Sequence, residues 1–460
     1  MKEHFIDDIK GKRIGVLGLG RSNLALIRFL SQWDVDITAC DRKSQTELSK
    51  TYEELSAMDV KLSLGEGYMD SLDEFHIIFK TPGMPNHLPQ LISARKRGTL
   101  ITSEIDLFMQ LCPAPVIGIT GSDGKTTTTI LIGRFLEAAG IKRFVGGNIG
   151  TPLIEKVSDI DENSVVVLEM SSFQLQTIRK SPNIGIVLNL SPNHLDIHKN
   201  MEEYIDAKKN IYRHQGPKDF GVFNYENAIT QKMANEAPYS RLFFSRKREV
   251  QEGTFLRDGM VIARFQGKEE ALFPISEIRL RGDHNVENVL AATCGVLPYR
   301  VGSNAILSAL RDLLWVEHRL ELVRDLNGVK YYNDSIASSP TRTINGLNSF
   351  ERPIILIAGG YDKHLDFNEL AHVIVDKVKS LILIGATADK IQKVVEAVME
   401  QSGKSLSINR CDTLEDAVIL GASAAEEGDI VLLSPACASF DMFKDFEERG
   451  KRFKEIVMGI

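Results

Sequence analysis

The 460-residue sequence has no apolar run near the ~20 residues that a membrane-spanning helix needs. No membrane partner is therefore expected. The opening stretch, MKEHFIDDIKGKR, is charged and lacks an apolar core, so no secretory signal is expected either. Cysteine is scarce. Cys40, Cys112, Cys294, Cys411 and Cys437 are odd in number, widely spaced and free of any C-x-x-C pair. That pattern argues against a disulfide frame and a thiolate zinc site, and for reduced thiols in a cytoplasmic protein. Excess positive charge is lacking too: 55 Lys and Arg stand against 62 Asp and Glu, for a formal net charge of −7, with no basic cluster. A nucleic-acid partner is not expected. Low-complexity tracts, long linkers and internal repeats are also missing. What is left is ordinary, 43% hydrophobic and 25% charged, the composition of a globular protein too long for one core.

One stretch stands out against this background. Pro115 to Ile119 is a short apolar run, Gly121-Ser122-Asp123-Gly124 is a glycine-bearing turn, and Lys125-Thr126-Thr127-Thr128 leads into a segment of helical character from Ile130 to Ala139. Strand, turn and helix in that order cradle phosphate, because turn N–H groups and the positive helix end face the oxygens. Lys125 would reach the terminal phosphates and the Thr126 hydroxyl a Mg²⁺ ion. The strict G-x-x-x-x-G-K-[ST] pattern fails at one place, where Ile119 replaces its first glycine. A glycine-rich turn with an incidental lysine is the plain alternative.

Before that loop, Lys12 to Leu17 reads as a buried strand, followed by Gly18-Leu19-Gly20-Arg21-Ser22-Asn23, a helix to Leu30 and a strand Val35 to Ala39 ending at Asp41-Arg42. This is the outline of a dinucleotide fingerprint, but Asn23 stands where its third glycine belongs. His76 to Lys80 is a further strand ending in Thr81-Pro82-Gly83. A boundary falls in Cys112-Pro113-Ala114-Pro115. After the loop, Ser164 to Leu168 and Ile184 to Leu190 read as buried parallel strands. The first ends in Glu169, the second in Ser191-Pro192-Asn193-His194-Leu195-Asp196. A carboxylate at a strand end beside a Lys-Thr loop is placed to serve a nucleotide-bound Mg²⁺. His194, Asp196 and His198 leave open which faces a metal, and Lys208 reads as an ordinary solvated lysine on a helix from Met201. From Phe220 to Leu280, short strands with turns at Asp258-Gly259 and Gln266-Gly267 fit a β-rich insertion or sheet flank, and Asp283 to Leu297 is helical. The third region has a turn at Asn327-Gly328 and strands at Val329 to Tyr332, Pro353 to Ala358, Ser380 to Gly385 and Asp429 to Leu433, with a parallel sheet expected. The fold class is α/β in three domains: residues 1–112 with a Rossmann-like start, 113–316 built on the phosphate loop with a β-rich flank, and 317–460 with a parallel sheet.

The stretches GITGSDGKTTT, GGNIG (Gly146 to Gly150), EMSSFQL (Glu169 to Leu175), NLSPNHLDIH, DAKKNIY (Asp206 to Tyr212), GDHNVENVLAA, EHRLE, NDSIASSPTRT and LLSPACASFDMFKDFEERG together resemble the Mur ligase family. In order and spacing they resemble its branch acting on D-glutamate and UDP-N-acetylmuramoyl-L-alanine. The D-N-P-R motif of the diaminopimelate-adding branch is absent. The resemblance implies a Rossmann-like N-terminal domain, a P-loop NTPase-like central domain and a Rossmann-like C-terminal domain, and ATP-dependent amide formation through an acyl phosphate in peptidoglycan precursor synthesis, with ATP and two Mg²⁺ ions. Gly121, Ser122, Asp123, Gly124, Lys125, Thr126 and Thr127, with Asn288, Arg319 and Asp334, would hold ATP, His318 lying beside them. It implies metal positions at Thr126, Glu169, His194 and a carbamylated Lys208, and catalytic roles for Lys125, Glu169, His194 and Lys208. Gly20, Arg21, Ser22, Asn23, Asp41, Arg42, Thr81, Pro82, Gly83 and Asn148 would hold the UDP substrate. Ser338, Lys363, Ser439 and Phe446 would hold D-glutamate. Many members carry Lys where this chain has Ile336. A monomer is the plainer expectation. A folate-polyglutamate-type ligase and an NAD(P)-dependent oxidoreductase built on Gly18 and Gly20 are the alternatives.

Overall fold

The computed structural model describes residues 9–58, 60–193, 197–278, 280, 282–312, 317–363 and 365–460. Three sheets organise them. The first contains β1 (Arg13–Leu17), β2 (Asp36–Asp41), β3 (Lys61–Leu64), β4 (Ile77–Lys80) and β5 (Leu100–Thr102), in the order β3-β2-β1-β4-β5 and all parallel. Continuous apolar runs such as Ile14 to Leu17 suit strands covered on both faces. The strand order reverses between β1 and β4, so the loops after these two strands diverge and leave a crevice at the carboxyl edge.

The second sheet contains β6 (Val116–Thr120), β7 (Arg143–Gly147), β8 (Val165–Glu169), β9 (Ile184–Val187), β10 (Phe220–Asn224), β11 (Ser240–Ser245), β12 (Gly253–Arg257), β13 (Met260–Phe265) and β14 (Lys268–Pro274). Its order is β14-β13-β12-β11-β10-β9-β6-β8-β7, parallel from β7 to β12 and antiparallel over the last three. The expected β-rich flank is thus an extension of this sheet. Its hairpin turns at Asp258-Gly259 and Gln266-Gly267 have positive φ at all four residues, the backbone that matches strand twist in a tight hairpin. The earlier part of that segment departs from expectation, because β10 and β11 are parallel and joined by the helix Ala228–Glu236. The strand expected to run to Leu190 stops at Val187, because Asn189 turns its backbone and side chain onto the phosphate loop.

The first two sheets share one core. Leu107 and Met109, from the helix Glu104–Leu111, belong to the same buried cluster as Ile154, Leu175 and Ile178. Polar stitches reinforce it: Ser103 Oγ lies 2.7 Å from Thr177 Oγ1, and Arg179 gives its N–H and Nε to Asp106 at 2.8 and 2.9 Å. Both sheets accordingly lie in one compact unit, residues 1–277 and 287–309; residues 278–286 and 310–460 form another.

The second unit holds β15 (Glu321–Leu326), β16 (Val329–Asn333), β17 (Ile354–Gly359), β18 (Val378–Ile384), β19 (Ser407–Arg410) and β20 (Ile430–Leu433), in the order β15-β16-β20-β17-β18-β19. The expectation of a parallel sheet fails only at β15. Asn327 and Gly328, at φ +52° and +79°, close a two-residue turn that admits only an antiparallel partner. Among the described residues, no helix is long and apolar enough to cross a membrane.

Candidate active site

The phosphate loop leaves the carboxyl end of β6, an interior strand of the second sheet between β9 and β8, and enters the helix Lys125–Ala138. Gly124 caps that helix at φ +81°, where a side chain is strained. A Cβ at this position would also lie 2.2 Å from Asn288 Oδ1, on the helix Asp283–Val296. Asn288, named on resemblance alone, thus backs the loop. Asn189 clamps the other side: its carbonyl accepts from Ser122 N at 2.8 Å and its Oδ1 from Asp123 N at 3.0 Å. Ser122 Oγ donates to Ser191 O at 3.0 Å and lies 3.1 Å from the Tyr204 hydroxyl. Lys125 Nζ folds back onto the carbonyls of Gly121 and Ser122 at 2.9 and 2.8 Å. Thr127 is fully buried. The clamps of Asn189 and Tyr204 escaped the sequence reading; a polar residue closing the apolar run IGIVL was the one available sign.

Glu169 ends β8, adjacent to β6, and is only 2% exposed. Its Oε2 accepts the Thr126 hydroxyl at 2.7 Å and its Oε1 accepts Asn148 Nδ2 at 2.9 Å. Asn148, assigned to the nucleotide-sugar substrate by resemblance, here orients the acid. Lys208 is not the solvated lysine its helix position implied. It is 1% exposed, and Nζ donates to Thr120 Oγ1 at 3.0 Å and Gly121 O at 3.1 Å. Thr120 Oγ1 already donates to Met170 O at 2.8 Å, so it must accept here. Burial, followed by repulsion from Lys125, lowers the amine pKa well below its ordinary value, against the smaller pull of Glu169 and Asp123. His194 and Asp196 lie outside the described residues. His198, the third candidate, is buried with Nε2 2.8 Å from Ser172 Oγ and its ring stacked on Phe173.

At the first sheet, Gly20 to Asn23, Asp41-Arg42 and Thr81 to Gly83 follow β1, β2 and β4, and so share one carboxyl edge. Gly18, at φ +84°, has no room for a side chain, because a Cβ would meet Thr81 Cγ2 at 2.8 Å. Asn23 Nδ2 donates to the carbonyls of Leu17 and Gly18 at 2.9 and 2.8 Å from beneath the turn. Its amide thus supports the loop that a third glycine would have packed. Asp41 Oδ2 accepts Leu19 N at 2.7 Å, and Arg21 donates to Gly150 O at 3.0 Å.

In the second unit the loops after β16, β17 and β20 lie at one carboxyl edge. They bring Asp334, Lys363 and Ser439 onto neighbouring turns, with Tyr361 bridged to Ala438. Ser335 Oγ donates to Phe446 O at 2.8 Å. Ser338, half-buried, donates its N–H to Ile336 O at 2.8 Å. Asp334 accepts Ser434 Oγ at 2.7 Å; burial pushes its pKa up to about 6, with the Ser434 bond and Arg319 opposing. His318 Nδ1 lies 2.9 Å from Asn333 Nδ2. The amide nitrogen can only donate, so Nδ1 accepts, and burial holds the imidazole neutral by lowering its pKa.

Comparison with known proteins finds relatives along nearly the whole chain. Residues 12–103 match the "Mur ligase MurD-like, N-terminal domain", 119–296 the "Mur ligase middle domain" and 318–437 the "Mur ligase, glutamate ligase domain". The UDP-N-acetylmuramoylalanine–D-glutamate ligase of Acetivibrio thermocellus is 51% identical over 458 residues, covering 99% of this chain and 98% of that protein. The ligase of the same name from Clostridium acetobutylicum is 50% identical over 456 residues, covering 98% of each. Among solved structures, MurC from Thermotoga maritima aligns at a TM-score of 0.59 and 18% identity, covering 97% of this chain and 99% of that one. MurF from Acinetobacter baumannii aligns at 0.61 and 14%, covering 96% and 93%. At such identities these two speak for the fold alone, whereas the domain matches and the close relatives decide the family: the chain belongs to the Mur ligases.

Proposed function

We propose that this protein is the ATP-dependent ligase that joins D-glutamate to UDP-N-acetylmuramoyl-L-alanine in peptidoglycan precursor synthesis. Relatives of that name at about half identity, aligned over nearly the whole chain, support the substrate pair. The observation that carries the chemistry is the Thr126–Glu169 contact at 2.7 Å beside a phosphate-shaped loop. A hydroxyl and a carboxylate are the hard oxygen donors that Mg²⁺ takes from a protein when phosphates and water complete its shell. The residues therefore fit ATP and Mg²⁺, which when bound would neutralise charge on the transferring phosphoryl group. Lys125 would exchange the Gly121 and Ser122 carbonyls for phosphate oxygens, and the loop amides and helix terminus would hold the remaining charge.

In the proposed reaction the substrate carboxylate attacks the γ-phosphorus and ADP leaves. The D-glutamate amine then attacks the acyl phosphate carbonyl, loses a proton, and phosphate departs. Ser338, Lys363, Ser439 and Phe446 are proposed to hold D-glutamate, Lys363 as a point charge for a carboxylate. Asn288, Arg319 and Asp334 are proposed for the nucleotide, the loops after β1, β2 and β4 for UDP, and His194 for a second metal. The division at 112/113 and 316/317 belongs to the same reading. Lys208 supports carbamylation: two donated hydrogen bonds suit a neutral amine, whose remaining lone pair can attack CO₂, releasing a proton and leaving an anionic oxygen ligand. The test is phosphate release from ATP with each substrate omitted in turn. Release should require both UDP-N-acetylmuramoyl-L-alanine and D-glutamate; a full rate without either one refutes the reading.

A further inference from the structure

Lys80 ends β4 with a fully buried side chain, and its ammonium donates to the Met84 carbonyl at 2.8 Å. Burial, with Arg95 adding repulsion, lowers its pKa to about 8. A buried cation is costly unless hydrogen-bonded, so this contact fixes the Thr81–Met84 turn from within. Two residues on, Asn86 Nδ2 donates to Gln176 Oε1 at 3.0 Å, and Gln176 Nε2 donates to Glu203 Oε1 at 3.3 Å. The direction of these bonds is dictated by chemistry. An ionised carboxylate only accepts, so Gln176 must turn its nitrogen to Glu203 and its oxygen to Asn86. Glu203 is itself held in place: Oε2 accepts Lys199 N at 2.7 Å, and its own N–H reaches Asn200 Oδ1 at 2.9 Å. It lies in the first turn of the helix Met201–Arg213, which also carries Tyr204 against Ser122 and Lys208 against Gly121.

We infer that Asn86 and Gln176 are positioning residues, and that the Asn86–Gln176–Glu203 relay couples occupation of the first sheet's crevice to the placement of the helix bearing Lys208. The identity of the crevice ligand rests on the function proposed above. Such coupling is reciprocal: a turn ordered by the sugar nucleotide steadies the helix, and a steadied helix tightens the turn. All three residues are half-buried at the surface, so replacing them leaves the cores intact.

The test uses the full chain as wild type, Asn86→Ala, Gln176→Ala, the double variant and Asn86→Asp, which keeps the shape but loses the donor. Titration calorimetry without ATP should show UDP-N-acetylmuramoyl-L-alanine binding weakened about 3- to 10-fold in each single variant, with the double no weaker than Gln176→Ala, because one shared bond is lost. In turnover, the Mg²⁺ concentration for half-maximal rate should rise with it, while KM for ATP at saturating Mg²⁺ stays within about two-fold. Wild-type affinity in Asn86→Asp, or losses that multiply in the double variant, overturns the relay. A wild type that binds the sugar nucleotide and turns over, with insensitive variants, refutes only the relay; one that neither binds nor turns over refutes the function.

Discussion

Thr126 donates its hydroxyl to one oxygen of Glu169 at 2.7 Å while Asn148 donates to the other at 2.9 Å. The acid is therefore oriented by two neutral donors, one of them on the phosphate loop. Replacing Glu169 with Gln puts an amide nitrogen where one of these donors needs an acceptor and removes the charge. The expected outcome is a loss of kcat of about 10²-fold or more that excess Mg²⁺ does not repair. A melting temperature close to wild type would show that the loss lies in the site.

Lys208→Ala should abolish most turnover, with partial recovery in millimolar acetate or formate if a carboxylate oxygen is what the site lacks. The same position speaks to stability. The amine's pKa is depressed in the folded protein, so between that lowered value and the ordinary lysine value of 10.5 the unfolded chain holds a proton that the folded one has released. Stability therefore rises with pH toward that value, and Lys208→Met should raise the melting temperature at pH 7. An unchanged rate in Lys208→Ala would return Lys208 to the role of a packed structural residue.

Glu104, at the start of the helix Glu104–Leu111, is buried, and burial raises its pKa from 4.5 to about 8 despite a hydrogen bond from the Ile154 backbone. Between those values the folded state keeps a proton that the unfolded state has lost, so stability falls as pH rises through the window. Glu104→Gln keeps an acceptor for Ile154 and removes the titration. Urea unfolding should show a gain of about 2–3 kcal/mol at pH 7 and almost none near pH 4.5.

Asp106 is fully buried and takes Thr102 Oγ1, the Arg179 N–H and the Arg179 side chain. Arg179 itself is half-exposed, at 54% of its side chain, which weakens the ion pair but leaves the carboxylate's need for it intact. Arg179→Ala should destabilise the shared core of the first two sheets by about 2–3 kcal/mol, somewhat under the range for a fully buried pair. Asp106→Asn in the same background should recover part of that loss.

How far the site was legible from residues alone depended on whether backbone geometry or side-chain partnership decided it. Gly121, Gly124 and Lys125 were legible because a strand-to-helix phosphate turn constrains residue type at fixed spacing. Glu169 followed from the apolar run before it. Lys208 looked like a surface lysine because helical spacing says nothing of how deeply a helix face is covered. Asn189, Asn23 and Lys80 were not legible as supports, since each is defined by a carbonyl or amide from elsewhere in the chain. The loops of the second unit became a group only through resemblance, as β16, β17 and β20 are far apart in sequence and neighbours only in the sheet.

Asn288 backs the phosphate loop from 160 residues beyond Thr128, whose hydroxyl lies 3.5 Å from its Oδ1. During synthesis at about 5–20 residues per second, that partner reaches the loop roughly 10–30 s after the loop itself has been made. Until then the left-handed bend at Gly124 has Leu188 beside it but lacks the Asn288 amide. The phosphate loop thus gains its full support late in synthesis, and a ribosome-bound fragment ending before Asn288 should fold much of its sheet while the loop still lacks that partner.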